Sequence, residues 1–247
     1  MPTLILSPRF SEDSQALWRA AGKLGWKVER LTNWHVPESI ANTADPVFYL
    51  EGLFASTIAE QFGRILPLPP ANWLPSLPAE FRKRNIELLP ALAARQINHA
   101  AFFKPPNDKS FPAGIYQSGA ALPTDIGENE SILVAEIVSW EKEFRCFLLN
   151  REPQALSVYL RDGQSQKDQE YSAADVEIAE AEAFIQSICA DTRIELPPAI
   201  VLDVGVIAER GWAVVELNAA WGSGIYGCDP VAVLHVLEQA SRPVEKP

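Results

Sequence analysis

A chain of 247 residues can bury a full core and has room for two small domains or one large one. Its hydrophobic share of 47% and charged share of 21% exclude global disorder. A formal charge of -11 and a pI near 4.8 argue against nucleic-acid or anionic-membrane partners, which require basic surface.

The N-terminus, Met1 to Pro8, has no charged lead and no long apolar run, so a cleaved secretion signal is not expected. No stretch reaches membrane-spanning length. Cys146, Cys189 and Cys228 are odd in number and form no CxxC, which disfavours a disulfide framework or zinc site. A reducing, cytoplasmic setting fits that usage. Thr3 to Leu6 reads as a buried strand. Ser11-Glu12-Asp13-Ser14 then supplies capping residues and early acids for a helix to about Leu24. Strands follow at 26–31 and 47–50, then a helix near 55–62 and a short strand at Ile65-Leu66. This alternation predicts a small α/β layer with parallel strands. Its first strand-to-helix turn, Ser7-Pro8-Arg9-Phe10, lacks the GxGxxG of a dinucleotide site.

Pro67, Pro69, Pro70, Pro75 and Pro78 break both helix and sheet, which places a domain boundary near residue 70. One helix is expected over 79–97, with Arg82, Lys83 and Arg84 on a solvated face. Strands dominate from Ala100 onward: 101–104, 115–116, 131–137, 144–149 and 155–159. A polar tract from Asp162 to Glu170 reads as mobile. Ser172 and Asp175 resemble a capping box that opens a helix to about Cys189. A hairpin of Ile200 to Val206 with Trp212 to Asn218 comes next. Gly222-Ser223-Gly224 and Gly227 then form a glycine loop, and Asp229-Pro230 starts the last helix.

The hairpin carries the strongest chemical signal. Its aliphatic strands are interrupted by Asp203, Glu216 and Asn218, the last two on one strand face. A two-residue turn at Glu209-Arg210 sets Asp203 opposite Glu216. A three-residue turn that includes Gly211 needs a bulge to recover the pairing. Two carboxylates and an amide among aliphatics demand a partner, and an all-oxygen set suits Mg²⁺ with phosphate. Open solvent on that face is the plainer alternative.

Lys104 ends an apolar strand before Pro105-Pro106, and Lys109 follows in a turn-rich loop; both can donate to phosphate oxygens. Glu136-Ile137-Val138 can present backbone groups to a flat base, and Glu143 can accept from ribose hydroxyls. Arg145 shares a strand face with Glu143 and must meet a carboxylate or phosphate, because it cannot shed its charge. A structural ion pair to Glu143 or Asp203 satisfies it equally well. His35, His99 and His235 show no metal spacing, and Ser223 is not in a GxSxG elbow.

Taken in order, strand-Lys-Pro, lysine loop, Glu-turn-Glu-x-Arg, strand-Asp, strand-Glu-x-Asn and glycine loop resemble the ATP-grasp superfamily of carboxylate–amine ligases. The resemblance runs from about Phe102 to Asp229 and is nearest to the clade marked by one arginine and two lysines. It implies an N-terminal Rossmann-like α/β layer at 1–70 before an α+β grasp with antiparallel sheets at 71–247. Within the grasp it implies a small lobe over about 79–136 and a large lobe over about 137–247. It further implies that Lys104 and Lys109 touch ATP phosphates, that Glu136, Ile137 and Val138 line the adenine hinge, and that Glu143 holds ribose. Asp203, Glu216 and Asn218 would ligate Mg²⁺, and Arg145 would stabilise charge on the γ-phosphate or acyl group.

The activity implied is amide or peptide bond formation from a small-molecule or peptide carboxylate and an amine, through an acyl phosphate. A nucleotide-binding module without ligase activity and a phosphotransferase on the same fold are the alternatives. Two departures stand out. D-alanine–D-alanine ligase-like members carry an arginine two residues before the metal-binding Asp, where this chain has Val201. The phosphate loop has a single glycine, Gly114. Monomer and homodimer fit the composition equally.

Overall fold

The computed structural model describes residues 1–244. The chain opens with β1 (Thr3–Leu6), α1 (Glu12–Lys23), β2 (Lys27–Arg30), α2 (Glu38–Ala41), β3 (Pro46–Tyr49) and α3 (Gly52–Gln61). These strands form a parallel sheet in the order β2-β1-β3, as the strand–helix alternation predicts. Central β1 is covered on both faces, so Leu4, Ile5 and Leu6 are all fully buried. Ser11 accepts from the Ser14 backbone while the Ser14 hydroxyl accepts from the Ser11 N–H, which closes the first turn of α1.

After β4 (Arg64–Ile65) the proline-rich segment holds two single-turn helices, α4 (Trp73–Ser76) and α5 (Ala79–Arg82). The single helix expected over 79–97 is not formed. Lys83 adopts φ 51° and stops α5, then β5 (Ile86–Pro90) and α6 (Ala91–Ala94) follow. The reason lies in the apolar spacing. Ile86 and Leu88 pack on one core while Leu89 packs on another, which is a period of two. Pro90 also disfavours helix at the residue before it.

With β6 (Ala101–Lys104), β7 (Gly114–Tyr116) and β8 (Ser131–Ala135), β5 forms an antiparallel sheet ordered β5-β8-β6-β7. Ala101, Phe103, Ile132 and Val134 face a core closed by α6, Leu122 and Ile126. By alternation the opposite face carries Phe102 and Lys104.

The largest sheet is built from β9 (Trp140–Leu149), β10 (Glu152–Arg161), β11 (Gln164–Ser165), β12 (Ala199–Ile207) and β13 (Gly211–Ala219), in the order β11-β10-β9-β12-β13. All its pairings are antiparallel. The tract after Asp162, expected to be loose, closes a tight hairpin through Leu160↔Ser165 and Arg161↔Gln164. One face of this sheet places Phe144, Cys146, Leu148, Ile200, Leu202 and Val204 under α7 (Asp175–Ala190). The start of α7 is capped at Ala174, whose N–H donates to Glu177, rather than by Ser172 with Asp175. On the other face Phe147 and Val201 join a core shared with β1, α1 and α8 (Pro230–Glu238). The chain then returns to the N-terminal layer, where β14 (Arg242–Pro243) pairs with β4. No helix among the described residues is long and apolar enough to cross a membrane.

Candidate active site

The β12–β13 hairpin pairs Ile207 with Gly211, so its loop is Ala208-Glu209-Arg210. Glu209 and Gly211 take the left-handed φ values of 63° and 80° that close it. From that turn alone, Asp203 would face Val215. A register shift between Asp203 and Val204 makes Val215 an extra residue and restores Asp203↔Glu216. The sequence left open which turn forms; the chain combines a three-residue loop with a bulge. The bulge also exchanges the valines, so Val214 and not Val215 enters the core under α7.

The restored pairing assembles an ion network between the two antiparallel sheets. Lys104, at the end of β6, donates to Glu216 Oε2. Asn218 Nδ2 donates to Glu216 Oε1 at 2.8 Å and to Asp203 Oδ2 at 3.1 Å. Arg145 closes a bidentate pair with Asp203, Nε to Oδ1 at 2.9 Å and Nη2 to Oδ2 at 2.6 Å. Its Nη1 donates to the Gly224 carbonyl at 2.9 Å, and Tyr226 and Tyr159 lie 4.6 and 5.4 Å from the guanidinium. Two cations thus balance two carboxylates. Burial alone would raise the Glu216 pKa, but Lys104, Asn218 and Arg145 outweigh it and hold that carboxyl at about 2. Burial also opposes the charge on Arg145, and Asp203 more than reverses this, raising its pKa.

Comparison with known proteins identifies this arrangement. Residues 81–236 match a family model for an ATP-grasp domain, the second family of the clade named for one arginine and two lysines. The chain belongs to the ATP-grasp superfamily. No curated protein sequence matches it significantly. Among solved structures, the D-cycloserine synthetase DcsG superposes with a TM-score of 0.62 at 12% identity, covering 96% of this chain and 99% of that one. A RimK domain ATP-grasp protein from Sphaerobacter thermophilus gives 0.55 at 12% identity, with 96% and 98% covered. The D-alanine–D-alanine ligase of Bacillus anthracis, in a complex with ATP, gives 0.54 at 10% identity, with 97% and 96% covered. At these identities the likeness is one of fold.

In this ATP-grasp chain, Lys104, Arg145, Asp203, Glu216 and Asn218 converge, and Glu143 lies beside them. Tyr159 OH donates to Glu143 Oε2 at 2.7 Å, and burial pushes the Glu143 pKa up despite that bond. The other candidates stand apart. Glu136 accepts from Arg210 Nη2 at 2.6 Å and from the Asn85 N–H at 3.2 Å, which ties the segment after β8 to the hairpin loop. Ile137 is exposed and Val138 half-buried beyond it. Lys109 is exposed on the β6–β7 loop and has no ion-pair partner among the described residues.

The donors suit a divalent cation of one kind. Among the described residues no three His, Cys, Asp or Glu side chains cluster at metal-holding spacing, so a closed protein cage is absent. Glu216 and Asn218 face the cleft with oxygen donors, while Asp203 is fully buried behind them. Mg²⁺ fits such a sparse set, because it usually takes one or two carboxylates and completes its shell with phosphate and water.

Sequence reasoning missed three contributors. Tyr226 stacks on Tyr159 at 5.2 Å and 13°, from a backbone held at φ 43°. Asp13 accepts from the Ile225 N–H at 3.0 Å and from Tyr49 OH at 3.3 Å, which joins α1 to the glycine loop. Arg84, read as part of a solvated basic patch, is largely buried and bonds β13. Burial draws its pKa down to about 10. Only Tyr226 left a sequence signal, as the aromatic inside a glycine loop.

Proposed function

We propose that the chain is an ATP- and Mg²⁺-dependent carboxylate–amine ligase that forms an amide or peptide bond through an acyl phosphate. The observation that carries this reading is the meeting of Lys104 from one sheet with Glu216 and Asn218 from the other. Such a pair of facing groups can grip a polyphosphate from both sides. Lys104 and Lys109 would donate to phosphate oxygens, Glu143 would accept from ribose, and Ile137 and Val138 would edge the adenine. Glu216 and Asn218, backed by Asp203, would hold Mg²⁺. The ion supplies charge neutralisation as negative charge shifts on the phosphoryl oxygens.

Arg145 has a narrower role in this reading. Three of its N–H donors are engaged and the residue is 6% exposed, so it orients Asp203 and the glycine loop more than it reaches a ligand. This engagement, together with the fully buried Val201, favours a second reading, a nucleotide-binding module without ligase activity. Thermal stability with ATP·Mg²⁺, with ATP plus chelator and without ligand tests the nucleotide site. A ligand at a hundredfold excess over its Kd adds about 2.7 kcal/mol, and Glu216→Ala should abolish the metal-dependent part. ADP release that requires both a carboxylate and an amine supports ligation. Binding with no turnover across an acid–amine panel supports the second reading, and no stabilisation in either protein overturns both.

A further inference from the structure

We propose that Arg84 is a positioning residue that fixes the strand register on which the Glu216–Asn218 pair depends. Its catalytic consequence rests on the ligase reading; its structural content does not. β13 is an edge strand, and Val215 is its bulged residue. Were the pairing Val204↔Val214 continued without the bulge, Glu216 would stand opposite Leu202 and Asn218 opposite Ile200. Both of those partners are buried under α7. A one-residue slip sends every side chain to the opposite sheet face. The bulge therefore decides whether Glu216 and Asn218 meet Asp203 or are driven toward an apolar core.

Arg84 reads that bulge directly. In extended chain, successive carbonyls point to opposite sides, whereas a bulged residue near helical conformation turns two of them the same way. Arg84 Nη1 donates to the Val214 carbonyl at 2.7 Å, and Nη2 donates to the Val215 carbonyl at 3.1 Å. One planar fork thus grips two consecutive carbonyls, an arrangement that a regular edge strand does not offer. The fork is itself held. Nη1 also donates to the Arg82 carbonyl at 3.1 Å, and the guanidinium lies 4.9 Å from the Trp140 ring. That ring covers Gly205, where an added Cβ would come within 2.9 Å of it. The left-handed Lys83 that ends α5 delivers Arg84 to this position.

The test compares Arg84→Met, which keeps the stem and removes the fork, with Arg84→Lys, which can serve one carbonyl. In a Mg²⁺ titration at fixed ATP, Arg84→Met should raise half-saturation on the order of 10- to 100-fold, as loss of a supporting hydrogen-bond partner does at metal sites. ATP binding in chelator should be unchanged. Arg84→Lys should recover part of the loss, as should methylguanidinium added to Arg84→Ala. The crystal structure of Arg84→Met should show the bulge lost or moved and Glu216 parted from Asn218. If Arg84→Met does not fold, Arg84→Lys carries the same comparison. A wild-type register retained in the variant's crystal structure overturns the proposal. A wild-type chain that binds no ATP·Mg²⁺ sinks the ligase reading alone, because the variant's register still decides the role of Arg84.

Discussion

Arg145 shows how one side chain can be demanded by the sequence and still be misassigned by it. A strand arginine between Phe144 and Cys146 must find an anion, and the residues alone allowed phosphate or carboxylate equally. The fold resolves this through register. β9 lies beside β12 with Arg145 opposite Asp203, so the nearest anion is a buried carboxylate on the next strand. Breaking such a pair leaves an uncompensated charge, which costs about 3–5 kcal/mol. Arg145→Met should therefore lose that much stability in denaturant unfolding. Arg145→Met combined with Asp203→Asn should recover a large share, because no lone charge stays buried. A single-variant loss below about 1 kcal/mol, the scale of an exposed pair, would refute the buried-pair account. Lys104 differs, since its partner Glu216 faces the cleft. Lys104→Met should weaken ATP binding with little loss of stability, as read by calorimetric titration and melting; unchanged affinity would remove Lys104 from the phosphate site.

At the scale of elements, α7 and the β9–β10 pair are joined by a single carboxylate. Glu177 accepts from both Arg161 nitrogens, at 2.8 and 2.7 Å, from Lys142 at 3.1 Å and from the Ala174 N–H at 3.2 Å. Arg161 is the main cause that lowers its pKa to about 2, with Lys142 and the cap adding to it against burial. An unfolded glutamate titrates near 4.3. The clip thus contributes fully above about pH 5 and is lost as pH falls toward 2, because the unfolded state takes up the proton first. With solvent screening the contribution is about 1–2 kcal/mol. Glu177→Gln should be less stable than wild type by that amount at pH 7, and the two should converge near pH 2. Parallel stability curves across that range would show that the clip is not the cause. None of this was legible in the sequence, where Glu177 is one acid among many. The hairpin was legible because three oxygen-bearing residues inside aliphatic strands must each find a partner, and an ion network supplies one. The small lobe's first strand was not, because Ile86-Glu87-Leu88-Leu89 is too short to separate a period of two from one of 3.6.

At the scale of the molecule, the proline-rich segment marks a change of architecture without separating two cores. The ATP-grasp character of residues 102–229 was readable from the order of its motifs, since each is weak and only their sequence is specific. The coupling of the N-terminal layer to the rest was not readable, because it depends on which distant faces are apolar together. Leu4, Leu6 and Leu17 share one core with Phe147, Val201, Val233 and Leu237. Backbone bonds cross the same boundary, from the Leu50 N–H to the Trp221 carbonyl at 2.9 Å and through the β4–β14 pair. The Asp13 bonds to the glycine loop add a third tie, close to Arg145. A fragment of residues 71–247 would expose the α8 side of that core, and each large aliphatic so uncovered forfeits about 1.5–3 kcal/mol. Several such residues exceed the roughly 5–15 kcal/mol that holds a typical domain together. The fragment should therefore show no cooperative melting transition, and adding residues 1–70 as a separate chain should restore one. A fragment that melts cooperatively by itself would mean that the N-terminal layer is a separable module, and that the site needs nothing from α1.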